Sequence, residues 1–198
     1  MRSYTNRELL LPRFAVDLDG VLANTMAACC KIINTRHRAH FEVSSFVKWQ
    51  AWEIANISKD EFFRTLDEAW FDWRTIPPTE GRLAQKVGKL LEFSMMDIVT
   101  SRSPETVASA KSWLKAQRIK FNSFVRTNSG MDKADLNYDI FIDDSPELMS
   151  ALTSRPDRHG ILYTQPWNKG LPVMPRIARV DSWSRIPERA REMLNEIK

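Results

Sequence analysis

From Met96 to Thr164 short apolar runs alternate with segments of helical period. Met96-Asp97-Ile98-Val99-Thr100 reads as a strand, and Ser103-Pro104-Glu105 opens a helix with serine at the N-cap and proline at the first helical position. Val107, Ala110 and Leu114 line the inner face of that helix. Phe121–Thr127 is a further candidate strand and Tyr138–Ile142 a clearer one, after which Ser145-Pro146-Glu147 starts another helix in the same way. Ile161–Thr164 is again a strand, followed by a proline-rich loop through Pro175. Strands that alternate with helices pair in parallel and need cover on both faces. The expected fold class is therefore α/β, a Rossmann-like parallel sheet flanked by helices.

Arg13 to Gly20, RFAVDLDG, reads as an earlier buried strand that ends in a polar turn. No strand pattern follows until the break at Pro77-Pro78. A helix is expected from about Val21 to Thr35, with Ala28, Cys29, Ile32 and Ile33 on one face. A second starts at Ser58, where Ser58 and Glu61 form a capping box ahead of Phe62, Leu66, Ala69 and Trp70. Beyond the prolines, Leu83, Val87, Leu90 and Leu91 mark another amphipathic helix, and Ile186, Ala190, Leu194 and Ile197 mark the last. The expected division is a core of residues 1–20 and 77–198 with a helical cap, 21–76, inserted above the sheet.

Composition bounds the alternatives. With 198 residues, 43% hydrophobic and 27% charged, the chain has the make-up of one globular domain with a modest insertion, which excludes a disordered or fibrous protein. A chain of this length buries roughly 70% of its unfolded surface and needs no disulfide to fold. The two cysteines, Cys29 and Cys30, are neighbours in sequence and form no disulfide framework, as expected of a reducing compartment. No run approaches the roughly 20 apolar residues of a membrane span. In Met1–Arg13 only Leu9–Leu11 is apolar, too short for the h-region of about 7–15 residues in a signal peptide. A cytoplasmic protein with no membrane partner is the expectation. The net charge of +4 favours anionic ligands mildly; its scattered basic residues make nucleic acid the less favoured partner.

Chemistry concentrates at the strand ends. Asp17 and Asp19 stand two apart, so alternation lets both face the crevice at the sheet's carboxyl edge, and Gly20 permits a sharp turn. Thr100-Ser101-Arg102 follows the second strand, Asn128 to Lys133 the third, and Asp143-Asp144-Ser145 the fourth. Three or four carboxylates gather only around a cation, which implies a hard divalent ion such as Mg²⁺.

DLDGVLANT, VTSR, Lys133 and IDDSPE, in this order from Phe14 to Pro146, resemble the four motifs of the haloacid dehalogenase-like phosphohydrolase superfamily. KADLNYDIFIDDSPE, followed by ILYTQPWN and RVDSW, is similar to the cytosolic-type 5′-deoxyribonucleotidases and their microbial relatives. The resemblance implies a Mg²⁺-dependent phosphomonoesterase, a 5′-(deoxy)ribonucleotidase acting on nucleoside monophosphates through an aspartyl phosphate. Asp17 would be the nucleophile and Asp19 the general acid and base. Thr100 would bond the phosphoryl oxygens and Lys133 would neutralise them. The metal would take the Asp17 carboxylate, the Asp19 carbonyl and the Asp143–Asp144 pair, with Asp144 binding directly and Asp143 behind it. Ser101 and Arg102 are further candidates for substrate contact.

Phe41, Phe46, Trp49, Trp52, Trp70, Phe71 and Trp73 crowd the insertion and are candidates to stack on a base, Trp49 and Trp52 foremost, although aromatic residues at helical spacing more often build core. Trp167 and Asn168 in the proline-rich loop are expected to border the site or to support it structurally. His37, His40 and His159 show no metal-ligand spacing and are expected at the surface or in the cap. Alternative substrates are a 3′-phosphate on a nucleic-acid end or a small sugar phosphate. A nucleotide-binding module without catalysis is the alternative from another class. Oligomeric state, monomer or homodimer, is left open.

Overall fold

The computed structural model describes residues 11–197, with side chains through Glu196. The stretch up to Leu10 and the side chain of Ile197, assigned above to the last helix's inner face, lie outside the described residues. Six strands, β1 (Arg13–Val16), β2 (Met95–Thr100), β3 (Phe124–Arg126), β4 (Ile140–Asp143), β5 (His159–Tyr163) and β6 (Ile177–Val180), form one sheet. All pairs are parallel, in the order β3-β2-β1-β4-β5-β6. The central strands are buried nearly throughout, as a parallel sheet covered on both faces requires. From β1 the chain runs outward through β2 to β3, returns to β4 on the other side of β1, and runs outward again to β6. The reversal between β1 and β4 opens a crevice at their carboxyl ends, where sheets of this kind take ligands.

Three helices, α1 (Thr25–His37), α2 (Ala51–Ala55) and α3 (Lys59–Phe71), separate β1 from β2, together with α4 (Leu83–Leu91). Helix α1 starts four residues later than its periodicity predicts. Leu18–Ala23 instead folds into a tight turn, with the Leu22 and Ala23 amides both donating to the Leu18 carbonyl. Asn24 then caps α1 by accepting from the Ala27 amide. Ser58 caps α3 as its spacing predicts, accepting from the Glu61 amide.

Helices α5 (Val107–Ala116), α6 (Pro146–Thr153) and α7 (Ile186–Ile197) follow β2, β4 and β6. Ser145 caps α6 as expected, but Ser103 caps nothing with its side chain, because its hydroxyl donates to Asp67 instead. Strand β6 was not expected. It is a four-residue edge strand just beyond the prolines, with Arg179 exposed between buried Ala178 and Val180, and so lacks a continuous apolar run. His159 also departs from expectation: it opens β5, half-buried, and burial lowers its basicity.

The two linkers of the helical excursion run side by side. The Asn24 amide donates to the Pro77 carbonyl at 2.9 Å, the Thr79 amide to Leu22 at 2.9 Å, and Ala23 bridges Pro78. The adjacent Glu80 fastens this junction to the far half of the sheet. Its carboxylate accepts from Lys86, from the Tyr163 hydroxyl (2.5 Å), from Ser182 (3.1 Å) and from the Trp183 amide (2.7 Å). Burial works against its charge, yet these four donors outweigh it and hold the carboxyl below the usual carboxylate range. A depressed folded-state pKa contributes stability above the unfolded value of about 4.3, and that contribution disappears as pH falls through the folded value. Glu80→Gln should therefore lower stability by about 1–3 kcal/mol near neutrality, with the difference from the parent shrinking below about pH 4. Urea unfolding of both proteins at the two pH values measures this; a gap that widened in acid would contradict it.

Candidate active site

At the β1–β4 switch point three carboxylates converge. Asp17, Asp143 and Asp144 are all buried and offer ligand oxygens within 4.8 Å of one another. Lys133, 5% exposed, lies between two of them, donating from Nζ to Asp17 Oδ1 at 2.6 Å and to Asp143 Oδ2 at 2.7 Å. It comes from a short helical turn, Met131–Asp135, that follows β3. Burial, then Asp143 and Asp19, push the Asp17 carboxyl up to about 7 against the opposing pull of Lys133. Burial and the charges of Asp143 and Asp17 also raise Asp144 well above the carboxylate range. Burial opposes the charge on Lys133, but Asp143 and Asp17 hold its ammonium above the ordinary lysine range. One ammonium thus faces three buried carboxylates. This excess of negative charge, presented by oxygen donors alone, fits a hard divalent cation held by Asp17 and Asp144.

Backbone conformation makes room for the cluster. Gly20 has φ +81°, and a Cβ there would lie 2.1 Å from Asp144 Oδ2, so only glycine brings the β1 turn this close to β4. Asp144 is fixed from behind, its Oδ2 accepting from Trp167 Nε1 at 3.1 Å and its carbonyl from Asn168 Nδ2 at 2.9 Å. Asn168 is fully buried and also donates to the Tyr163 carbonyl at 2.8 Å. Gln165 reaches back to the Gly20 carbonyl at 2.6 Å.

A second group surrounds Asp19. Its Oδ1 accepts from Thr25 Oγ1 at 2.5 Å, Trp70 Nε1 at 2.8 Å and Arg102 Nη1 at 3.3 Å. Arg102 is 7% exposed and its Nη2 also donates to Asp67 Oδ1 at 2.5 Å. Thr100, at the end of β2, is buried; its hydroxyl accepts from the Arg102 amide at 3.3 Å. Ser101 is exposed. Trp52 packs on Phe62 and Phe63, both at 6.2 Å, with Lys59 over its face, and Trp49 is half-buried beside the start of α2. Among the described residues neither indole bonds to a carboxylate of the site.

Sequence reasoning did not single out Asp67 as a member of this site, and Thr25 and Gln165 entered only within the strings DLDGVLANT and ILYTQPWN. Trp70 was expected to stack on a base or build core, not to donate its N–H to Asp19, and nothing local distinguishes Asp67 from a solvated helix carboxylate.

A family model described as 5′ nucleotidase, deoxy (pyrimidine), cytosolic type C protein matches residues 12–193. The chain belongs to this nucleotidase family. It is a phosphoric monoester hydrolase of the haloacid dehalogenase-like superfamily. Solved structures agree on the fold. A haloacid dehalogenase-like family hydrolase from Streptococcus pneumoniae has a TM-score of 0.60 at 11% identity, over 93% of this chain and 98% of that one. CbbY from Rhodobacter sphaeroides, in complex with phosphate, has a TM-score of 0.56 at 12% identity, over 89% and 96%. L-2-haloacid dehalogenase from Xanthobacter autotrophicus, with chloropropionic acid covalently bound, has a TM-score of 0.58 at 8% identity, over 93% and 100%. No curated protein matches the chain by sequence. Among the described residues no helix is long and apolar enough to cross a membrane.

Proposed function

We propose that this chain hydrolyses nucleoside 5′-monophosphates, deoxynucleotides foremost, through an aspartyl phosphate on Asp17 with Mg²⁺ as cofactor, in the cytoplasm. The observation that carries the reading is the buried Asp17–Asp143–Asp144 cluster around Lys133 at the sheet's switch point, in a chain matched by a deoxy-5′-nucleotidase family model.

In this mechanism an Asp17 carboxylate oxygen attacks phosphorus, and the bond from phosphorus to the ester oxygen breaks. Asp19 gives its proton to the departing alkoxide. Water then attacks the phosphoryl group, loses a proton to Asp19, and the bond to Asp17 breaks to release inorganic phosphate. Lys133 holds Asp17 in position and offsets charge that grows on the phosphoryl oxygens. Thr100, whose hydroxyl already accepts from Arg102, keeps its own proton to donate to the phosphoryl group. Ser101 stands exposed beside it for a further contact. A divalent cation held by Asp17 and Asp144, with Asp143 behind, supplies the positive charge that lets a carboxylate approach a phosphate dianion. We assign residues 21–76 as a cap that covers the site and reads the nucleoside, with 1–20 and 77–198 as the catalytic core.

The test is phosphate release, with and without Mg²⁺, from 5′- and 3′-nucleoside monophosphates, sugar phosphates and a 3′-phosphorylated oligonucleotide. The expected result is Mg²⁺-dependent release greatest for deoxynucleoside 5′-monophosphates. Release confined to sugar phosphates or to the oligonucleotide would overturn the substrate, and no release from any of them would overturn the reading as a whole.

A further inference from the structure

We infer that Trp70, together with the Asp67–Arg102 pair, positions Asp19 for proton transfer, so that the proton-transfer group is aligned by α3 rather than by the sheet alone. This inference rests on the reading of Asp19 as proton donor and acceptor. Three donors converge on one oxygen of Asp19, from Thr25, Trp70 and Arg102, and among the described residues none reaches Oδ2. A carboxylate oxygen offers two lone pairs, so Oδ1 is saturated and the plane of the carboxylate is fixed. Oδ2 is left as the oxygen that exchanges a proton with the substrate.

Two of the anchors trace back to α3. Trp70 is fully buried, wedged edge-on against Trp113 at 6.1 Å, which leaves its N–H little freedom to turn elsewhere. Asp67 is three residues earlier, so both side chains leave the same face of the helix. Asp67 Oδ1 accepts from Arg102 Nη2 at 2.5 Å and from Ser103 at 2.8 Å. The Arg102 guanidinium also lies 5.6 Å from the Trp70 ring centre and bonds Thr106 at 3.3 Å through Nε. Both terminal nitrogens of Arg102 are thereby committed to carboxylates of the protein. Its place is beside Asp19, as a support.

Trp70→Phe removes the N–H donor while keeping an aromatic ring against Trp113. The two chemical steps separate its effect. A nucleoside monophosphate leaves as a basic alkoxide and needs the Asp19 proton. 4-Nitrophenyl phosphate leaves as a stable phenolate and does not, but hydrolysis of its aspartyl phosphate still needs Asp19 to take a proton from water. In Mg²⁺ buffer, the variant should lose about 10- to 100-fold in kcat on the nucleotide, with KM changed by less than about 2-fold. With 4-nitrophenyl phosphate it should release a rapid burst of about one nitrophenolate per enzyme, followed by slow turnover. Asp67→Asn, at a partly exposed position, should show the same pattern with a smaller loss, and it carries the test if the tryptophan variant does not fold. Parental kcat in either variant, or a loss without a burst in both, would overturn the inference. Failure of the underlying reading shows separately, as an absence of phosphate release by the parent protein, and removes this inference with it.

Discussion

Asp17→Asn is expected to end turnover while leaving the metal-free protein at least as stable as its parent. The two effects share one cause. Asp17 is buried beside two further acids, and its raised pKa records how unfavourable its charge is there. An amide of the same shape removes that charge, and Lys133 keeps Asp143 as its partner at 2.7 Å. The amide is no nucleophile towards phosphorus, so phosphate release should fall by about 10³-fold or more. Thermal unfolding in a chelator and phosphate release in Mg²⁺ measure the two halves independently. A variant that loses stability as well as activity would show that Asp17 is chiefly structural. One that keeps turnover would remove the covalent mechanism. The expected combination is the familiar opposition between stability and function at a strained catalytic site.

Lys133→Met should produce the converse. The methionine side chain fills similar space but leaves three buried carboxylates with no cation between them. Removing one partner from a buried charge pair costs about 3–5 kcal/mol. For a chain of this length that is about 10 °C in Tm. A divalent cation should restore part of the loss, since it supplies the missing positive charge, whereas activity should stay low because Asp17 has lost the ammonium that holds it in position. The check is a pair of melting curves, in chelator and in Mg²⁺. A variant that melts with its parent in chelator would show that the cluster is already neutral in the metal-free protein.

The parts of the molecule legible from sequence are those in which one residue type has one local use. Strands β2, β4 and β5 announced themselves as buried apolar runs, and the four motifs at the strand ends are local strings. Gly20 was legible as a turn, though not the reason for it: the Asp144 carboxylate that leaves no room for a Cβ there comes from more than a hundred residues away. What escaped depends on partners distant in the chain. Ser103 has the form of an N-cap, but a carboxylate from α3 outcompetes the backbone for its hydroxyl. Trp70 has the period of a core residue and is one, and its N–H bonds Asp19, a partner 51 residues away in the chain. Strand β6 was missed because an edge strand, half in solvent, shows alternation rather than a hydrophobic run.

The closely paired linkers at Asn24 and Pro77 have a consequence for how such a protein diversifies. A segment whose ends already touch is, in polymer terms, a closed loop, and the entropy of closing it grows only with the logarithm of its length. Doubling the length adds about 0.6 kcal/mol. Descendants of an ancestral sheet therefore meet little entropic penalty for lengthening or shortening the segment between those two residues. What such changes have to preserve is the packing of that segment on the sheet, where Ile33, Phe46 and Trp70 share one apolar cluster with Val16 and Ile98.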